Sequence, residues 1–215
     1  RFKFYTKEEL FNYLHTQNAP ENTIFVRRKF HNPTNNSSIS DLITHINLFK
    51  KFINSFDVLE KHHIVLPRPT AMEYSNAKNY VVAPYYPKNC LNKDVVNSLK
   101  NPKVQLTFLN HLTTALCKLQ IHNIVQSDCK QENILVDSDE CFYLTDFGSS
   151  NTVGKQIPHY IENSNNSYHL PPEYYLEGQY SETYDVWSLG ICFVLFLPNR
   201  LNFINETKTF LKNYI

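Results

Sequence analysis

Glycine is scarce in this chain: there are four in 215 residues, at positions 148, 154, 178 and 190, and none earlier. Over the first 147 residues this excludes a loop whose backbone N–H groups approach a phosphate because no Cβ stands in the way. Cysteine is odd in number, with Cys90, Cys117, Cys129, Cys141 and Cys192 and no C-x-x-C pair. A disulfide framework and a zinc knuckle are therefore not suggested, and a reducing compartment is the better expectation. No apolar run reaches the ~20 residues of a membrane span. The longest, Val186 to Leu197, is interrupted by Ser188 and Gly190 and reads as a buried core helix. The opening residues, Arg1-Phe2-Lys3-Phe4-Tyr5, lack the long apolar core of a signal peptide, and an initial Arg is also how a trimmed chain reads. Excess charge is missing as well: a net charge of +1 gives no electrostatic case for nucleic acid.

What remains is a globule. With 42% hydrophobic, 14% aromatic and only 19% charged residues, the chain has the apolar mass for a packed core and too little charge for a disordered one. Thr6-Lys7-Glu8-Glu9 is a capping-box pattern that predicts a short helix over 7–15. Thr23 to Phe30 reads as a strand, and Leu42, Ile43, Ile46, Phe49 and Ile53 give helix period over 39–56. Two β-like runs follow, Ile64-Val65-Leu66 leading on to Met72-Glu73-Tyr74, and Tyr80-Val81-Val82-Ala83, before Pro84-Tyr85-Tyr86-Pro87 breaks the chain. Leu106, Leu109, Leu112, Leu116 and Leu119 form a helical stripe ending near His122. Ile134-Leu135-Val136 and Cys141 to Leu144, joined by Asp137-Ser138-Asp139-Glu140, predict a hairpin, and 149–170 reads as a long loop. Strands and one helix first, then mostly helix around a hairpin, is an α+β arrangement in two lobes, expected at 1–83 and 84–215.

Four segments carry chemistry, in a fixed order. Gln126-Ser127-Asp128-Cys129-Lys130-Gln131-Glu132-Asn133 follows the leucine stripe, and Asp146-Phe147-Gly148 follows the hairpin. Pro171-Pro172-Glu173 and Asp185-Val186-Trp187-Ser188-Leu189-Gly190 come after. The set resembles the catalytic half of a eukaryotic-type protein kinase, from about Leu106 to Leu197. By that resemblance Asp128 is the base that accepts the proton of the attacking hydroxyl, and Lys130 neutralises charge on the transferring phosphoryl group. Asn133 and Asp146 are implied metal ligands, and ATP and Mg²⁺ the implied cofactors, a hard cation with oxygen donors. Lys two places after the base looks like the serine/threonine branch. Ala83 to Tyr86, including Tyr85, would form the hinge that receives adenine, with Val82 behind the base. The implied partner is a protein substrate of a monomeric, cytoplasmic enzyme, with neither nucleic acid nor a membrane span.

The first third departs from the family. The glycine-rich loop is absent, and the strand lysine is ambiguous: V-A-I-K aligns with Phe25-Val26-Arg27-Arg28, giving Arg28, while a one-residue shift gives Lys29. Strand alternation sends these two to opposite faces, so only one reaches phosphate; the following Lys29-Phe30 favours Arg28. The helix over 39–56 has no Glu, and Asp41 is an ion-pair partner or a helix cap. Gln126 and Ser127 replace His and Arg, which removes the usual receptor of an activation-loop phosphate. Asn166 stands where serine/threonine kinases place a Thr. The chain stops about 25 residues after Gly190 and Arg200 is the only later Arg available to pair with Glu173. Such a stripped chain looks like the minimal kinases that bacterial pathogens deliver into host cytosol, and a fragment boundary gives the same picture. A second reading stays open: a pseudokinase that binds nucleotide or protein without catalysis.

Overall fold

The computed structural model describes residues 25–30, 62–65, 68–71, 79–84, 86–157, 167–176, 178–198 and 200–214. Strands β1 (Phe25–Phe30), β2 (Arg68–Ala71) and β3 (Asn79–Pro84) form an antiparallel sheet in the order β1-β3-β2. Backbone is described in these strands and side chains are not. The expected helices over 7–15 and 39–56, together with Asp41, Tyr85 and Asn166, lie outside the described residues. β1 and β3 fall where alternation and β-branching predict strands. Of the run from Ile64 to Tyr74, Leu66 and Met72-Glu73-Tyr74 lie outside the described residues; the strand described within it is Arg68–Ala71, and Ile64 itself makes a single parallel bridge to Leu144. Ile64 and Val65 are each 1% exposed, so their apolar character reflects packing against the distant hairpin rather than membership of this sheet.

The remaining elements are β4 (Lys88–Asn89), α1 (Lys93–Ser98), α2 (Pro102–Ile121), β5 (Ile124–Val125), β6 (Ile134–Val136), β7 (Phe142–Leu144), β8 (Asn151–Thr152), α3 (Pro172–Leu176), α4 (Tyr184–Val194) and α5 (Arg200–Tyr214). Asn101 caps α2 by accepting a hydrogen bond from the Lys103 N–H, and Pro102 sits at the first turn, where no donor is lost. The buried face of α2 is Phe108, Leu112, Ala115, Leu116 and Leu119. Leu106, expected in that stripe, is 69% exposed. It precedes Leu112 by six residues, about 600° of rotation, which puts it well off the buried face.

The hairpin β6–β7 forms as expected and packs Ile134, Val136, Phe142 and Leu144 against that face of α2 and against Leu189, Cys192 and Phe196. α4 carries the long apolar run, yet Val186 within it is 58% exposed, so this helix is buried on one side. The expected loop over 149–170 contains a two-residue strand, β8, that pairs with β5, and a 3-10 turn at Ser167–His169. Gly154 and Gly178 take positive φ where the backbone of this segment bonds to Tyr180 and neighbours. With few glycines available, five other described residues carry positive φ: His63, Asn123, Ser127, Glu140 and Asp146. Two of them, Ser127 and Asp146, lie in the motifs.

Candidate active site

The loop from β5 to β6 is short and ends in a 3-10 turn, Gln131–Asn133, whose Asn133 leads directly into the hairpin. The turn folds Asn133 back onto Asp128: its Nδ2 donates to the Asp128 carbonyl and to Asp128 Oδ2, each at 2.9 Å. Lys130 Nζ reaches the same carboxylate oxygen at 2.8 Å. Asp128 Oδ1 has no partner among the described residues. Because both neighbours of Asn133 Nδ2 are acceptors, the amide orientation is fixed, and its Oδ1 is the end that remains for a cation.

Burial disfavours the charge on Lys130, but the hydrogen bond and charge of Asp128, with Glu132 and Asp146 adding to them, outweigh it and raise the pKa. Lys130 is therefore a fixed cation within electrostatic reach of both Asp128 and Asp146. Asp146 is held beside the loop because the Thr145 N–H donates to the Asn133 carbonyl at 3.0 Å. Its φ of 57° lies in the left-handed region, which for a side-chain-bearing residue costs roughly 1–3 kcal/mol and persists only where neighbours enforce it. Among the described residues no group of three or more His, Cys, Asp and Glu side chains could hold a metal ion. The donors at hand, an amide oxygen and a carboxylate, fit a hard cation that completes its shell with phosphate and water.

Sequence reasoning brings Asp128, Lys130, Asn133 and Asp146 together, and so does the fold. Arg28, Lys29, Val82 and Ala83 belong to β1 and β3. The register pairs Arg28 with Val81 and Lys29 with Tyr80. Tyr85 lies outside the described residues.

Asp185 holds the loop from below. Its carboxylate, 6% exposed, accepts the Gln126 N–H at 2.6 Å and the Ser127 N–H at 2.9 Å. Burial pushes its pKa up to about 6 against the opposing pull of those two N–H groups. Trp187 and Ser188, two and three residues on, hold the turn at Ser167–His169 instead: Trp187 Nε1 donates to the Tyr168 carbonyl at 3.1 Å and Ser188 Oγ to that of His169 at 2.8 Å. A cleft of about 380 Å³ opens between these parts, lined on one side by Asp128 and Lys130 and on the other by Tyr168, His169 and Leu170.

One expectation changes, and two residues of the loop gain partners that the sequence did not suggest. Glu173 does not form an ion pair with Arg200 among the described residues; its Oε1 accepts hydroxyl hydrogen bonds from Ser181 at 2.7 Å and Thr183 at 3.3 Å. Neutral donors eight and ten residues on in the chain serve instead. Ser127, noted only as a missing arginine, donates to the Ser149 carbonyl at 2.7 Å. Gln126, noted only as a missing histidine, is 0% exposed and its side-chain amide makes three hydrogen bonds. The one signal for it was a polar residue beside the apolar Ile124-Val125.

Comparison with known proteins gives a family match and several relatives. Residues 15–214 match the family model described as protein kinase domain. Cyclin-dependent kinase 2 of Caenorhabditis elegans is 30% identical over 138 residues, 62% of this chain and 38% of that protein. Serine/threonine-protein kinase shk2 of Schizosaccharomyces pombe is 25% identical over 159 residues, 72% of this chain and 24% of that protein. The aurora kinase of Debaryomyces hansenii is 32% identical over 112 residues, 48% and 26% respectively. The aligned regions span well under half the length of these relatives.

Proposed function

The chain belongs to the protein kinase domain family, and from that premise we propose that it transfers the γ-phosphoryl group of ATP to a serine or threonine hydroxyl of a protein. Its fold is the two-lobed α+β arrangement of that family in reduced form. The observation that carries the reading is the engagement of one Asp128 oxygen by Lys130 at 2.8 Å and Asn133 at 2.9 Å, which leaves the other oxygen for a substrate.

In-line phosphoryl transfer needs positioning and charge neutralisation more than covalent chemistry. Asp128 Oδ1 accepts the proton of the attacking hydroxyl, and the two donors on Oδ2 keep the carboxylate from turning away. Lys130 offsets charge on the phosphoryl group in transit. Asn133 Oδ1 and Asp146 would hold Mg²⁺, which when bound neutralises the phosphates. The proposal extends to a hinge at Ala83 to Tyr86 for adenine, a phosphate contact from Arg28 or Lys29, and lobes divided at 83/84. It also includes a monomer acting in cytosol, its own or that of a host; no helix of the described residues is long and apolar enough to cross a membrane.

The absence of glycine before position 148 favours a rival, a regulatory module without catalysis. Two measurements separate them. Millimolar Mg-ATP is expected to raise the melting temperature, and a protein substrate is expected to gain the mass of one phosphoryl group. No gain in mass would support the rival, as a nucleotide-binding module if the melting temperature rises and as a protein-binding one if it does not, and a gain of one AMP would assign different nucleotide chemistry to the same fold.

A further inference from the structure

Three hydrogen bonds from one side chain join the two motifs that supply the acidic groups of the site. Gln126 Nε2 donates to the Thr145 carbonyl at 3.0 Å and to the Asp146 carbonyl at 2.9 Å. Gln126 Oε1 accepts the N–H of Asp128 at 2.8 Å. The amide is fully buried, and the backbone on each side of it is in the left-handed region, Ser127 with φ 65° and Asp146 with φ 57°. We infer that Gln126 is a positioning residue that sets the spacing between the base Asp128 and the metal ligand Asp146. The inference rests on the reading of those two residues given above.

The site asks for one acceptor and two donors in a dry place, and a primary amide supplies them without charge. Leucine supplies none. Ionised glutamate accepts from the Asp128 N–H but faces two carbonyl oxygens with a third acceptor; protonated, it recovers one donor. Histidine supplies one donor and one acceptor. Charged residues surround the amide: the Asp128 N–H and the Asp146 carbonyl bond to it directly, Asp185 bonds to the backbone N–H of Gln126, and Lys130 pairs with Asp128. Introducing a carboxyl among these acidic groups keeps it protonated to higher pH than usual. The hydrogen bond to the Asp146 carbonyl also helps hold a backbone conformation that a side-chain-bearing residue otherwise leaves.

The test compares Gln126→Glu, Gln126→Leu and Gln126→His with wild type, reading kcat and KM across pH alongside amide exchange. For Gln126→Glu, the ratio of variant to wild-type kcat is expected to fall about tenfold per pH unit above the pKa of the introduced carboxyl, and to recover on acidification. Gln126→Leu is expected to lose kcat at every pH, and Gln126→His to restore part of it, with the KM for the protein substrate little changed in both. In Gln126→Leu the Asp128 amide is expected to exchange faster, while those of Ser127 and position 126 stay protected by Asp185. A merely structural role would lower melting temperature but leave kcat per folded molecule normal and the pH ratio flat, which overturns the inference. Unchanged exchange at Asp128 also overturns it, and that readout decides the matter even if wild type transfers no phosphoryl group, a result that would sink the kinase reading instead. Should Gln126→Leu fail to fold, Gln126→Met, unbranched and of similar length but without the amide's donors and acceptor, takes its place in both the kcat and the exchange readouts.

Discussion

Replacing Asp185 with asparagine tests how the loop that carries Asp128 is held. The carboxylate of Asp185 is buried and accepts two backbone N–H groups, and burial raises its pKa from the ordinary 3.8 to about 6. The folded protein therefore holds, between those two pKa values, a proton that the unfolded chain has released. This contribution to stability is full below the unfolded pKa and is lost as pH rises through about 6. A shift of that size corresponds to about 3 kcal/mol, of which roughly 2 kcal/mol has returned by about pH 4.5. Asparagine has no such titration and offers one acceptor to two donors, leaving one buried N–H unsatisfied at a cost of about 1–3 kcal/mol. At about pH 8 the lost acceptor and the removed buried charge oppose each other, so the variant and wild type are expected to lie within about 2 kcal/mol. At about pH 4.5 the gap should move by roughly 2 kcal/mol further against the variant. Urea unfolding followed by the fluorescence of Trp187, the single tryptophan, measures both proteins at each pH, and other titrations cancel in the difference. A gap that is the same at both pH values to within about 0.5 kcal/mol would refute the reasoning.

Phe108→Ala removes a ring that is 0% exposed and meets Phe142 and Phe196 edge to face at 5.2 and 5.5 Å; a loss of about 3–5 kcal/mol in denaturant unfolding is expected. His63 and His111 stack at 3.7 Å, and burial lowers both pKa values, so their contribution is present at neutral pH and lost as pH falls below the ordinary 6.5. His111→Asn keeps an acceptor for the Phe142 N–H, bound at 3.2 Å in the native protein, and should flatten the acid side of the stability curve; an unchanged slope counts against the pair. Of Arg28→Ala and Lys29→Ala, one is expected to raise the KM for ATP strongly and the other to leave it near normal. Full activity in both would mean that neither contacts phosphate.

Much of the catalytic loop was legible because its chemistry sits in contiguous residues: Asp128, Lys130 and Asn133 are brought together by a single turn. The hairpin was legible because alternation over a few residues is a local signal, and α2 because its period runs for about three turns. What escaped depends on pairing across sequence distance. β5 and β8 are two residues each, too short to carry a period, and only their mutual hydrogen bonds define them. Ile64 looked like a strand residue because apolar character reports burial and not the partner that buries it. Gln126 and Glu173 were read against the residues expected at their positions. Their partners, two carbonyls and an N–H for one and two hydroxyls for the other, could be found only once the chain was folded.

The central claim is that Asp128 and Asp146 work together in phosphoryl transfer. Its most direct test incubates the pure chain with γ-labelled ATP, Mg²⁺ and a mixture of candidate proteins, beside Asp128→Asn and Asp146→Asn. Loss of a general base typically costs about 10²–10⁴-fold in rate. Label is therefore expected in the wild-type reaction and nearly none in either variant, with phosphoserine or phosphothreonine in the product. Equal label in all three reactions, or none in any, would contradict the claim.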